Sequence, residues 1–293
     1  MKLIKCLVIS ICYLFINLHT SQNDFTCLKA SREIVTVWLH GTRLTPTFIN
    51  KKYFFRKEGM HKMLSYDRYY NCRTVADLIS KQNPELYPIE SYYYFGWSGK
   101  LCFNERKSAA KELYHELKKL YDAHKNILGE APFIRIITHS HGGNVLLNLA
   151  KVIPKDSPIV IDEAILLACP VQDKTKHLIK APCFKKIFAL YSGNDMFQVI
   201  DPQGWYKKGK TKKLFSDRTF EHCEKLRQAR IKLNGKDPMH IDFFLSKFMI
   251  HLPLICKSLD EAHELSPTAH IFLHKQLDIR DRQFPIRVHQ SYL

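Results

Sequence analysis

Apolar residues along this chain recur with two periods, and the two alternate. Glu33-Ile34-Val35-Thr36-Val37-Trp38-Leu39 is a β-rich run stopped by His40-Gly41-Thr42. Tyr92-Tyr93-Tyr94-Phe95 is a second, stopped by Gly96-Trp97-Ser98-Gly99. Between Glu105 and Lys125 the apolar positions Ala109, Leu113, Leu117 and Leu120 carry charges between them, which is the helical period. Phe133 to Ile137 returns to a strand, and Val145, Leu146, Leu149 and Val152 form a helical stretch ended by Pro154. Strands follow at Ala164 to Ala168 and Lys186 to Ser192. From Asp237 to Leu254 the spacing of Ile241, Phe244, Leu245, Phe248 and Met249 predicts one helix, and His270 to Leu273 reads as a further strand. Alternating strands and helices predict the α/β class, a mostly parallel central sheet with helices on both faces.

The amino end has a different pattern. Lys2 and Lys5 precede an apolar run from Cys6 to Leu18, shorter than the roughly 20 residues a membrane span needs. This predicts an export signal, with Thr20 and Ser21 as small residues for cleavage. Leu18 and His19 fit the cleavage pattern poorly, so an uncleaved membrane anchor stands as the alternative. No other apolar run is long enough to cross a bilayer. The chain therefore divides into residues 1–21 as signal peptide or anchor, 30–256 as a single domain, and 257–293 as a His-rich extension, with no linker rich in Gly, Pro and Ser between them. The expected location is exported, secreted or periplasmic, or anchored at a membrane.

Composition narrows the class further. Apolar residues make up 45% of the 293 and aromatics 12%, which excludes a disordered or collagen-like chain. Lys and Arg number 45 against 28 Asp and Glu, a formal charge of +17, with the densest run at Lys207-Lys208-Gly209-Lys210-Thr211-Lys212-Lys213. Such a surface attracts anionic phospholipid or nucleic acid. No stacking-aromatic or zinc-finger pattern accompanies the charge, so nucleic acid is not expected as a partner. Outside the leader seven cysteines (Cys27, Cys72, Cys102, Cys169, Cys183, Cys223, Cys256) are scattered without disulfide or zinc spacing. His263, His270, His274 and His289 form no metal motif either.

The chemistry concentrates in Phe133-Ile134-Arg135-Ile136-Ile137-Thr138-His139-Ser140-His141-Gly142-Gly143, an apolar strand that turns directly into a helix with Ser140 at the turn. A serine hydroxyl is a weak nucleophile near neutral pH and needs to stand clear of the backbone, near a base, with donors awaiting an oxyanion. A tight strand-to-helix turn supplies that geometry if small residues sit two positions either side of the serine; Gly142 fits and Thr138 is bulkier than glycine. The helix amino end behind Ser140 offers free N–H groups to developing negative charge.

This segment resembles the nucleophile elbow of the α/β-hydrolase superfamily, G-x-S-x-G with Thr in the first position. The resemblance covers about Ile34 to Pro253 and implies an α/β-hydrolase fold. His40-Gly41-Thr42 is similar to the oxyanion loop of lipase-like members, which implies oxyanion N–H groups from Thr42 and from His141, the residue after the nucleophile. Family order places an acid and then a histidine after the serine. Asp195, in the loop following the strand through Ser192, matches the acid, with Asp173 as the alternative; His240 matches the base, with His251 next. Phe95-Gly96-Trp97-Ser98-Gly99 with Arg106 and Ala109-Ala110 is similar to a loop and helix of lipase-like proteins, inositol-deacylase-like ones among them. Trp97 would line an acyl pocket there or pack the loop. The implied activity is cleavage of a carboxylic ester, lipid or small, by a Ser140-His240-Asp195 acyl-enzyme mechanism without cofactor or metal. The reading from another class is a non-catalytic binder of the same fold at an anionic membrane.

Two other motifs do not hold up. Gly204-Trp205-Tyr206-Lys207-Lys208-Gly209-Lys210-Thr211 matches G-x-x-x-x-G-K-T, but Asp201-Pro202 interrupts the strand such a phosphate loop must follow, and Trp, Tyr and two Lys crowd the turn. His139-x-His141 is shared with a zinc hydrolase motif, which would need Asp and His where Gly143 and Asn144 stand.

Overall fold

Alternation along the strands carries through to the two sides of one sheet. A computed structural model describes residues 32–43, 57–200, 216–233, 235–263, 269–273 and 286–290. In chain order the elements are β1 (Ile34–Leu39), β2 (Gly59–Lys62), α1 (Asn71–Gln82), β3 (Tyr92–Gly96), α2 (Phe103–Leu128), β4 (Phe133–His139), α3 (Gly142–Asn148), β5 (Ile161–Leu167) and β6 (Phe184–Tyr191). They continue with α4 (Met196–Val199), β7 (Leu226–Leu233), α5 (Ser246–Met249), α6 (Leu252–His263), β8 (Ala269–Leu273) and β9 (Ile286–Gln290). The strands form one sheet in the order β2-β3-β1-β4-β5-β6-β7-β8-β9. All pairs are parallel except β2 with β3 and β8 with β9, the two edges.

Successive strand residues face opposite sides. Val35, Val37 and Leu39 of β1 and Ile134 and Ile136 of β4 pack with Leu113 and Leu117 of α2 and Val145 and Leu146 of α3. Trp38, Ile137, Ile165 and Phe188, one register step away, pack on the other side with Val75 and Ile79 of α1 and Leu252, Ile255 and Leu259 of α6. Helices thus cover both faces of a mostly parallel sheet, an α/β fold.

The helix predicted over 105–125 is α2, which ends where Gly129 takes a left-handed φ of 75° and donates its N–H to Lys125. The single helix predicted from Asp237 to Leu254 is corrected. A 3-10 turn over His240–Phe244, then α5, then α6 take its place. Leu245 is extended (φ −78°, ψ 149°), and Pro253, which lacks an N–H, sits in the first turn of α6 where none is needed. The helical stretch after Ser140 is shorter than its apolar pattern, α3 tightening into a 3-10 turn at Leu149–Lys151. α6 runs through residue 256, and β8 pairs with β7. Charge hid β7 in the sequence: Arg227 pairs with Asp260, and Arg230 with Asp237.

The leader at 1–21, Cys27, the lysine-rich run at 207–213 and the phosphate-loop decoy lie outside the described residues. No helix among the described residues is long and apolar enough to cross a membrane. The described cysteines are free thiols.

Candidate active site

The residues favoured for chemistry lie beyond the carboxyl ends of parallel strands, where α/β sheets place their sites. His40, Gly41 and Thr42 follow β1, Trp97 follows β3, Ser140 follows β4, Asp195 follows β6 and His240 follows β7. Leu39 is in register with Thr138 of β4 and Phe95 of β3, so the first three of these loops start side by side.

Ser140 has φ 53°, a left-handed conformation that is uncommon for a residue with a side chain. Its N–H donates to Leu167 at 2.8 Å, and its carbonyl accepts from Gly143 at 3.0 Å, so the turn is fixed on both sides. The surrounding glycines are demanded by contact. A Cβ on Gly142 would lie 2.6 Å from the His40 carbonyl oxygen, one on Gly41 2.7 Å from the Ser140 Cβ, and one on Gly143 2.5 Å from Cys169 Sγ. Thr138, the bulky first position, is accommodated because its hydroxyl donates to the Ile165 carbonyl at 3.1 Å.

Asp195 is the N-cap of α4: its Oδ1 accepts from the Gln198 N–H at 3.0 Å. Its Oδ2 lies 2.6 Å from His240 Nδ1. The carboxylate is fully buried, and the imidazole is 13% exposed. With its Nδ1–H donating to the carboxylate, His240 keeps Nε2 as the acceptor. No hydrogen bond joins Ser140 Oγ to His240 here. Arg218 Nη2 donates to the Asp195 carbonyl at 3.3 Å, and Met239 N–H to Asp242 at 2.9 Å, so the segments carrying Asp195 and His240 are tied at their starts.

Among the described residues the backbone N–H groups of Thr42 and His141 have no acceptor, as expected of an oxyanion site. The loop bearing Thr42 is held by His40, whose ring stacks between Tyr94 and Trp97. Its Nδ1 donates to the Gly41 carbonyl at 2.7 Å, and its Nε2 accepts from Trp97 N–H at 3.3 Å. Burial, helped by the Arg43 charge, holds the His40 pKa down to about 3. Trp97 is buried and donates its indole N–H to the His40 carbonyl at 2.8 Å, so it packs the loop from β1 to β3.

The alternatives occupy other places. Asp173 is exposed and pairs with Lys176 at 2.9 Å. His251 lies at the turn between α5 and α6, its pKa lowered by burial. The neighbouring thiol of Cys169 is pushed up to about 12 by burial, which keeps it protonated and unreactive. Among the described residues no cluster of His, Cys, Asp and Glu could hold a metal ion.

The motif reading passed over His139. It is wholly buried, and its Nε2 donates to the His240 carbonyl at 2.9 Å, with the two rings 4.6 Å apart. Burial, and then the His240 charge, hold it well below its ordinary pKa, so it is neutral. Only its place next to the turn serine hinted at this contact, because the partner is 101 residues away.

No protein-family model matches the chain, and no curated protein matches it.

Proposed function

We propose that the protein is a serine hydrolase of the α/β-hydrolase fold that cleaves a carboxylic ester through an acyl-enzyme. Ser140 Oγ attacks the ester carbonyl while His240 Nε2 takes its proton, and the N–H groups of Thr42 and His141 receive the oxyanion. Collapse of the tetrahedral intermediate expels the alcohol, which receives that proton. Water, deprotonated by His240 in turn, attacks the acyl carbonyl and frees the acid and Ser140. Asp195 holds the tautomer and stabilises the imidazolium.

The observation that carries this reading is the 2.6 Å Asp195–His240 pair, whose histidine reaches the strand end bearing the left-handed Ser140 through His139. The open Ser140–His240 contact is consistent with it, since such bonds often tighten only around substrate. A fluorophosphonate probe tests it: the wild type takes the label and Ser140→Ala does not. A folded wild type that stays unlabelled overturns the reading and favours a binding protein on the same scaffold.

A further inference from the structure

The described residues leave eleven large apolar side chains exposed, and five of them, Met196, Phe197, Ile200, Met239 and Ile241, flank Asp195 and His240. Phe197 and Met239 are 61% and 66% exposed, and the Phe197 ring lies 5.9 Å from the His240 ring. These residues come from two segments far apart in sequence, α4 and the 3-10 turn at His240–Phe244, which the Asp195–His240 bond draws together. Single exposed apolar residues are ordinary; a group gathered on one rim marks a contact surface.

The charges around this rim are uneven. Its acids are answered, Asp237 by Arg230 at 2.8 Å and Asp242 by Lys247 at 2.8 Å. Arg218 lies against it, with Nη2 3.9 Å from Met196 Sδ, and Lys236 stands exposed three residues before Met239; among the described residues neither makes an ion pair. The whole chain carries +17. Apolar side chains that enter the acyl boundary beside cations that face headgroups are the two contributions that hold a protein on an anionic bilayer.

We infer that the rim formed by Met196, Phe197, Ile200, Met239 and Ile241 docks on an anionic phospholipid surface. This presents the Ser140 site to esters in that surface, and for that last step it rests on the hydrolase reading. A second copy of this chain is a poor occupant, because two rims of the same sign of charge would face each other.

The test places a reporter on the rim of the full-length protein. Phe197→Trp and, as the control at the far end of α2, Ile127→Trp are titrated with vesicles of brominated phosphatidylcholine and phosphatidylglycerol at 7:3, and with brominated phosphatidylcholine alone. The added emission at 197 is expected to shift to the blue and be quenched, severalfold more with phosphatidylglycerol present, while that at 127 is unchanged. No quenching at 197 overturns the docking surface, even if the amino-terminal segment holds the protein on the vesicle; equal quenching on both vesicles overturns its anionic choice. Phe197→Ser with Ile241→Ser should lower hydrolysis of a vesicle-borne ester about tenfold or more and leave a soluble short-chain ester unchanged. Loss of both activities instead makes the rim part of the ester pocket and overturns docking. A wild type inactive on both esters sinks the hydrolase reading alone, since the quenching result stands without it.

Discussion

His240 Nδ1 and Asp195 Oδ2 lie 2.6 Å apart, although 45 residues and the whole of β7 separate them in the chain. The carboxylate's other oxygen is occupied by the Gln198 N–H, so it has one orientation, and the imidazole takes its own from it. The fold thus fixes the ring from a segment distant in the chain.

Replacing Asp195 by Asn keeps a carbonyl oxygen for the Gln198 N–H and lets the amide donate to Nδ1, leaving the proton on Nε2, where it blocks the base. Ester hydrolysis should drop by about 10⁴-fold in kcat with the thermal midpoint little changed. An Asp195→Asn variant within tenfold of wild type would remove Asp195 from the mechanism.

His139 is expected to act as a positioning residue through the His240 carbonyl. His139→Phe should lower kcat about ten- to a hundredfold with KM held, because a small displacement of the base is costly. His139→Gln, which can still donate, should recover part of the loss. A uniform loss of folded protein in both variants would indicate packing alone.

Gly142 admits no side chain, since a Cβ would meet the His40 carbonyl oxygen at 2.6 Å and that of Leu39 at 3.0 Å. Gly142→Ala should cost about 1–3 kcal/mol in urea unfolding as the start of α3 is pushed away from the end of β1. An unchanged midpoint would show that the turn has more room than these contacts give it.

Stability should fall with acidity well before the carboxylates titrate. His40, at about 3, and His139 and His141, both held well below the ordinary value chiefly by burial, are neutral in the native protein. The unfolded chain protonates them near 6.5, so their contribution is complete above that pH and is lost as pH falls toward their folded values. At pH 5 the His40 contribution should have fallen by roughly 2 kcal/mol, with further losses of the same sign from His139 and His141. Unfolding at that pH should take up protons on their account, at least about one of them from His40, measurable as the slope of stability against pH. A urea midpoint flat from pH 7 to 5 would contradict the burial of these rings.

Much of the sheet could be read from periodicity because its central strands are buried on both faces and mostly apolar, as β1 is apart from Thr36 and β5 is from Ala164 to Leu167. β7 escaped because Arg227 and Arg230 break the pattern, and their acidic partners come from other segments. The stretch from Asp237 to Leu254 misled for a related reason. Its apolar spacing suits one helix, yet its start is bonded to Asp242 and Asp195, and Leu245 breaks the path before Phe248 enters the core.

By itself the sequence determined the strand-turn-helix around Ser140, since an apolar run, a serine and two glycines allow few other local geometries, while the resemblance implied where along the chain Asp195 and His240 should follow it. Only tertiary structure decided that Asp195 rather than Asp173 meets His240, that His139 at the end of β4 bonds to the His240 carbonyl, and that the exposed Phe197 ring lies 5.9 Å from the His240 ring. These are contacts between segments distant in the chain. Local spacing fixes which way a side chain leaves its strand, whereas its partner is chosen by how the strands stack in register and where each loop returns.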